Sequence, residues 1–464
     1  MNKTIKIVTI GGGSSYTPEL IEGFIKRQKT MPISEIWLVD IPEGQHKLEI
    51  VAAMAERMIK AAGLDWKLIA TTNRQEALKD ADFVTTQFRV GQLDARIKDE
   101  CLPLAHDILG QETNGAGGIL KAFRTIPVIL EIIEDMKMLC PNAWLINFTN
   151  PAGMITEAAI NHGRWKRTLG LCNLPLLHAS EDAEYLKLEE KDLYIKFAGI
   201  NHFHWHRVWD REGQERTADL LQLLYGTEDE QAEGVKNIHN EEFNYSHLKD
   251  LGLLPCYYHR YYYVSDDMLQ ASITDYKQKG VRAQVVKETE KRLFELYKDP
   301  TLNYKPKELS ERGGAFYSDA ACEAINAIYN DSRITMVVST TNNGAISNLP
   351  NDSVAEVSAI MTAHGPEPIA WGTFDKKASG MLQEMKTMEQ IVIEAAITGD
   401  YGTAQQAFIQ NPLIPSGKIT SQLLNELLYA HKDYLPQFSS TIQKIIDTQP
   451  ELVAYVDKLV SENL

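Results

Sequence analysis

The chain has 464 residues, of which 44% are hydrophobic and 24% charged, and it carries a formal net charge of −16. That length exceeds what one core usually supports, so two lobes are expected. The acidic balance argues against nucleic acid or an anionic membrane as partner, while leaving room for a local basic pocket that takes one phosphate. No apolar run approaches a membrane span, and Met1 to Thr4 lead into a strand rather than a signal peptide. The five cysteines are scattered without framework spacing, which fits reduced thiols in a cytoplasmic protein.

Lys6-Ile7-Val8-Thr9-Ile10 is a strand-like run that ends on Gly11-Gly12-Gly13-Ser14-Ser15-Tyr16. From Pro18, the residues Leu20, Ile21, Phe24 and Ile25 recur at helical spacing. Strand, glycine turn and helix form the opening of a dinucleotide-binding unit, in which small residues let backbone N–H groups approach a pyrophosphate. Tyr16 stands where the third glycine of that fingerprint belongs. The next strand, Glu35 to Asp40, ends on an acid that suits a ribose diol, although in a plain βαβ unit Asp40 would simply cap the following turn. The residues expected to bind NAD are therefore Gly11, Gly12, Gly13, Ser14 and Asp40. Further strands over 82–87 and 143–148, with an amphipathic helix over Ile126–Cys140 between them, predict an α/β fold. Its core would be a Rossmann-like, doubly wound parallel sheet with the ligand site at the strands' C-terminal ends. Arg89, Arg96, Asn147 and Asn150 fall just past such ends, where loop capping and ligand binding are both open to them. Glycines 110, 115, 117 and 118 bracket Gln111-Glu112-Thr113-Asn114, which reads as a mobile polar loop with Glu112 either solvated or turned inward.

The stretch Leu169–Trp205 carries Cys172 near its start and His202 near its end, each after a short apolar run. A thiolate and an imidazole are good ligands for a divalent transition metal; a buried thiol and a hydrogen-bonded histidine are the plain alternative. Beyond His206 the strand–helix alternation weakens, and 211–250 reads as polar surface helices. Residues 257–263 then hold five tyrosines in seven positions. They suit a packed aromatic cluster, or a phenol acting as general base with its pKa lowered by a metal and by Arg260. Arg282, ahead of a charged helix over Lys287–Tyr297, could reach an anion. Gly313 to Tyr317 opens a helix through Ile328, and Ile334–Val338 is a strand running into a turn at Asn342–Ile346. From Lys377 the chain is mostly helical, and these helices are expected to cover the sheet and make subunit contacts. The expected division is a nucleotide-binding domain over 1–170 and a second, mixed α+β lobe with C-terminal helices over 171–464.

In order, Gly11-Gly12-Gly13-Ser14, Arg89-Val90-Gly91 with Arg96, Gly110-Gln111-Glu112-Thr113, Asn147-Phe148-Thr149-Asn150-Pro151, Gly170-Leu171-Cys172-Asn173 and Gly199-Ile200-Asn201-His202 closely resemble glycoside hydrolase family 4. The likeness continues through Tyr258, Arg282 and Asn342-Asn343-Gly344-Ala345, so it spans Lys6 to about Gln437, and it is strongest toward the bacterial 6-phospho-β-glucosidase branch. The resemblance implies NAD- and Mn²⁺-dependent hydrolysis of 6-phospho-β-glucosides, such as cellobiose 6-phosphate, to glucose 6-phosphate and an aglycone. That chemistry is a known exception to the two-carboxylate glycosidases. Cys172 and His202 are implied to hold the metal, Tyr258 to be the base, and Glu112 to raise that tyrosine's basicity. Arg96, Arg282 and Asn150 are implied to contact the sugar phosphate. In the family's scheme hydride leaves C3 of the sugar, the C2 proton goes to the tyrosine, the aglycone is eliminated, water adds, and hydride returns. Asn173 departs from the α-phosphoglucosidase branch, which carries an acid there. A 6-phospho-α-glucosidase of the same family, an NAD-dependent hydroxy-acid dehydrogenase and a non-catalytic NAD-binding scaffold are the competing readings. A homo-oligomer, dimer or tetramer, is expected.

Overall fold

The structure is a computed structural model and describes residues 4–226, 238–312 and 317–464. Among these residues twelve strands form one sheet: β1 Ile5–Ile10, β2 Ile33–Val39, β3 Lys67–Thr71, β4 Phe83–Thr86, β5 Trp144–Asn147, β6 Thr168–Gly170, β7 Leu193–Ile200, β8 Phe203–Asp210, β9 Leu254–Pro255, β10 Thr335–Thr341, β11 Val354–Thr362 and β12 Gly365–Pro368. The spatial order is β3-β2-β1-β4-β5-β6-β10-β11-β7-β8-β9, with β12 paired to β11. From β3 to β6 every pairing is parallel, and beyond β6 every pairing is antiparallel. The first half is thus the Rossmann order, whose direction of winding reverses between β1 and β4.

The central strands β1, β4 and β5 are buried almost throughout because both faces are covered. Ile7, Ile36, Leu38, Phe83 and Ile146 join one core, shared with the helices Thr17–Lys26, Gln45–Ala61 and Tyr317–Asn330. Val8, Trp37, Val39, Val84 and Leu145 join the other, under the helix Gly115–Leu139. Helices on both faces make the sheet doubly wound, as expected. Among the described residues no helix is long and apolar enough to cross a membrane.

Several boundaries differ from the sequence reading. The helix expected over 126–140 begins at Gly115, and Pro127 lies inside it. Of the four glycines thought to mark a mobile loop, Gly110, Gly117 and Gly118 are instead close-packing positions, while Gly115 holds a φ of +66°. A Cβ on Gly117 would stand 2.4 Å from the Gln111 carbonyl oxygen, and one on Gly118 would stand 2.2 Å from that of Thr113. The Gln111 side-chain oxygen also accepts the backbone N–H groups of Thr113 and Asn114, which winds the loop tightly onto the helix start. Arg282 is the first residue of its helix, Arg282–Tyr297, rather than a residue ahead of it. Of 211–250, helices Thr217–Tyr225 and Tyr245–Leu251 are described, and their apolar faces bury Leu220, Leu224 and Leu248 in a small core with Phe243. The polar texture of that stretch belongs to the outer faces. The expected helix start at 313–316 lies outside the described residues.

The C-terminal helices fold back onto the first half of the chain through a buried ionic junction. Both Asp99 oxygens accept from Arg124, at 2.9 and 2.7 Å, and His431 Nε2 lies 2.9 Å from the same carboxylate. Asp99 sits on the helix Gln92–Leu104, Arg124 on Gly115–Leu139, and His431 ends Lys418–Ala430. All three are fully buried. Arg124→Met should strand the Asp99 carboxylate with a histidine alone and cost about 3–5 kcal/mol of stability. Urea unfolding measures this, and a loss under about 1 kcal/mol would show that the junction is not held by charge.

Candidate active site

The first structural requirement of the site is a carboxylate surrounded by cations. Glu112 Oε2 pairs with Arg89 Nη1 at 2.5 Å and Lys121 Nζ at 3.0 Å, while Oε1 pairs with Arg96 Nη1 at 3.1 Å. Arg89 follows β4, Arg96 rides the helix Gln92–Leu104, and Lys121 comes from the helix Gly115–Leu139. Burial alone would raise the Glu112 pKa, but Arg89, Arg96 and Lys121 together hold it well below the usual carboxylate range. Burial, reinforced by Arg89, brings the Lys121 pKa down to about 7. Arg96 also meets Glu100 at 2.7 Å, and the other Glu100 oxygen accepts the Ala283 N–H at 2.8 Å. That contact draws the start of the Arg282 helix against the cluster. Burial and the nearby Arg96 both depress the Arg282 guanidinium. Three arginines, with Lys121 partly protonated near neutral pH, outweigh the two carboxylates and leave the floor of the site positive, suited to an anion.

Above this floor, β7 and β8 form a hairpin with His202 at its tip. His202 adopts φ 63°, a left-handed conformation that a non-glycine residue holds only when its surroundings compensate. Its ring lies flat on Tyr258, with centroids 3.9 Å apart and planes 9° from parallel. Burial lowers the His202 pKa to about 4, so the imidazole is neutral and competent as a ligand. Cys172 follows β6, just ahead of the helix Leu174–Leu186, and Asn173 stands at that helix's N-cap position without a side-chain capping bond. Burial and the charge of Glu356 push the Cys172 thiol pKa well up, and Asn201 bonds to the sulfur. Burial, then the negative charge of Glu112, pushes the Tyr258 phenol well above its ordinary value, and Thr113 hydrogen-bonds to it. Arg260, expected to act on this phenol, does not do so. Its guanidinium donates to the Glu241 carbonyl and to Asn240 and packs over Phe243 and Tyr257, on the far side of the tyrosine run.

A continuous cavity of about 1510 Å³ joins the first glycine turn to this group, lined at one end by Gly11, Gly13, Ser14 and Asp40 and at the other by Cys172, Asn173, His202 and Tyr258. Arg96, Glu112 and Asn150 line it as well. The turn is tightly seated. Gly11 has φ +85°, and a Cβ on Gly12 would stand 2.7 Å from Cβ of Leu38. This close backbone, at the sheet's switch point and bordered by an acid, fits a dinucleotide. Asp40 braces the turn too, accepting the N–H groups of Gly13 at 2.8 Å and Ile41 at 2.9 Å. Cys172 and His202 supply one soft and one borderline donor on the same wall, which fits a transition cation with positions left open for oxygen ligands. Sequence reasoning missed Lys121 and Arg312. Lys121 was detectable as a charge inside the apolar run Ile119–Ile126. Arg312 lines the same cavity and sits 4.3 Å over the Tyr16 ring, at the position where a third glycine was expected; no local pattern marks it.

The family 4 glycosyl hydrolase model matches residues 6–188, and the model of that family's C-terminal domain matches 197–414. The chain is 50% identical over 443 residues to a probable 6-phospho-β-glucosidase of Bacillus subtilis, covering 96% of this chain and 100% of that one. It is 47% identical over 447 residues to the 6-phospho-β-glucosidase of Escherichia coli K12, covering 96% and 99%. Among solved structures, the 6-phospho-β-glucosidase of Thermotoga maritima with manganese, NAD⁺ and glucose 6-phosphate aligns with a TM-score of 0.84 at 32% identity, over 93% of this chain and 99% of that one. The two family models together match well over half of the chain, and the relatives above cover nearly all of it; the chain belongs to the family 4 glycosyl hydrolases.

Proposed function

We propose that the chain hydrolyses 6-phospho-β-glucosides, such as cellobiose 6-phosphate, to glucose 6-phosphate and an aglycone, using NAD and a divalent cation, Mn²⁺ by preference. The observation that carries this reading is the single cavity in which Tyr258 lies against His202, near Glu112 and Cys172, above a cationic floor. When bound, NAD accepts and returns a hydride at sugar C3 while Mn²⁺ polarises the C2 and C3 oxygens, which together acidify the C2 proton.

The remaining chemistry falls to the chain's own residues. Gly11, Gly12, Gly13 and Ser14 seat the dinucleotide and Asp40 meets its ribose, while Cys172 and His202 hold the cation. Tyr258 takes the proton from C2. Glu112, kept ionised by its three cations, raises the basicity of that phenol by its charge. Arg96, Arg282 and Asn150 hold the 6-phosphate, with charge-assisted bonds that an unphosphorylated sugar cannot make. Asn173 bears on the anomer. A carboxylic acid there could protonate an axial leaving oxygen, but an amide cannot give up a proton at neutral pH. The departing equatorial oxygen must be served from elsewhere, by a water or a side chain on the opposite face. The division at residue 170, a cytoplasmic location and assembly as a homo-oligomer through the C-terminal helices belong to the same proposal.

Three outcomes are expected. Chelated, NAD-stripped protein should not cleave an aryl 6-phospho-β-glucoside; activity should need both additions and accumulate no NADH. Full activity in chelator would overturn the reading. Tyr258→Phe should still bind NAD while kcat falls by about 10²–10⁴, and the wild-type reaction in D₂O should place deuterium at C2 of the sugar. Normal hydrolysis without that label would exclude elimination. Finally, kcat/KM should favour the β- over the α-anomer of one aryl 6-phosphoglucoside, and both over the unphosphorylated β-glucoside. Faster α-cleavage would remove Asn173 from its role, and equal rates without phosphate would remove Arg282.

A further inference from the structure

Behind the hairpin lies a second group of donors that the proposed reaction does not use. Among the described residues His178, His204 and Cys256 are fully buried, and one ligand atom from each lies within 4.8 Å of the others. His178 Nε2 has no hydrogen-bond partner, and His204 bonds to the Cys256 thiol beside it. Buried polar atoms are normally satisfied, and an imidazole nitrogen left open beside a second imidazole and a thiol needs a reason. The His204 ring is oriented from behind, since its Nδ1 lies 2.5 Å from Glu356 Oε2. A carboxylate on one ring nitrogen with the other directed at a shared point is the arrangement that orients metal-bound histidines. Aromatic rings close the pocket: His178 packs on Tyr257 with centroids 4.6 Å apart, and Phe197 lies 5.6 Å from His204.

We propose that His178, His204 and Cys256 form a second, structural metal site that takes zinc. Two imidazoles and a thiolate are a borderline-to-soft donor set, which suits Zn²⁺ better than Mn²⁺ or Mg²⁺. Tetrahedral zinc with bonds of about 2.0–2.3 Å places its ligand atoms roughly 3.4–3.7 Å apart, so the three donors need close by only about 1 Å on binding, leaving the fourth position to a water. The placement gives the ion a purpose. His178 lies on the helix that begins just past Cys172, His204 is two residues beyond His202, and Cys256 is two residues before Tyr258. An ion here ties together the three segments that carry the proposed metal ligands and base. Glu356 continues the link, because its second oxygen accepts from Asn201, which bonds to the sulfur of Cys172.

The test separates the two sites by their cysteines. Protein produced with added zinc and NAD, then freed of labile metal by brief chelation, is analysed by plasma mass spectrometry. Wild type and Cys172→Ser should each retain about one zinc per chain. Cys256→Ser and His178→Gln should retain at least about tenfold less, while NAD binding shows that they are folded. Reconstitution with Co²⁺ should give a thiolate-to-cobalt absorption band in Cys172→Ser that disappears when Cys256→Ser is added. Anomalous scattering at the zinc edge from Cys172→Ser crystals should place the ion between the three side chains even if the other variants misfold. A Cys172→Ser protein without zinc, or one whose zinc lies elsewhere, would overturn the proposal. Because metal content is read directly, this result stands apart from whether 6-phosphoglucosides are cleaved.

Discussion

A carboxylate confined among three cations costs far less to bury than any of the four alone, and the site depends on that fact. Remove Glu112, and Arg89, Arg96 and Lys121 would repel one another in a largely buried space. With it in place, the loop after β4, the helix Gln92–Leu104 and the start of Gly115–Leu139 are drawn to one point. The same charge reaches Tyr258. One side chain therefore gathers three elements, leaves the floor cationic and acts on the phenol above it. Low local dielectric makes each of these interactions strong, and makes the group costly to leave half-assembled.

How much of this was legible in the sequence follows from how local each signal is. The parallel strands were readable because burial on both faces leaves short runs rich in β-branched and aromatic residues, as in Lys6–Ile10 and Trp144–Asn147. Cys172 and His202 could be singled out by residue type as candidate metal ligands, whereas only the family resemblance picked Tyr258 from five neighbouring tyrosines. The first eleven residues of the helix Gly115–Leu139 were lost because their glycines imitate a loop. Gly117 and Gly118 answer to the carbonyls of Gln111 and Thr113 packed against them, and a carbonyl leaves no mark on sequence periodicity. Arg260 was misassigned because neighbours in a helical run face different ways, and proximity in sequence to Tyr258 did not bring the two groups together.

The second half of the sheet was the least readable part. Its antiparallel strands arrive out of chain order, β10 and β11 lying between β6 and β7. Pairings between residues so far apart in the chain leave no local pattern, whatever the propensities of the strands. Yet this interleaving puts the His202 hairpin beside β11, where Glu356 meets Asn201 and His204. The geometry around the proposed metal ligands is thus set by a strand more than 150 residues further along the chain.

The junction of the two sheet halves has a practical bearing on how this protein can be taken apart. β6 meets β10 through the single pair Gly170 and Ser339, and a Cβ on Gly170 would stand 2.2 Å from the Thr156 hydroxyl. The seam is short and tightly fitted, and it runs alongside the turn that carries Cys172. Cutting the chain there to express a nucleotide-binding half by itself would bare the edges of β6 and β10, rows of unpaired backbone groups that invite association with other chains. A split reporter or a circular permutant of this protein is better opened at the exposed turn that follows β8, near Gly213, where an added Cβ meets nothing within 4 Å.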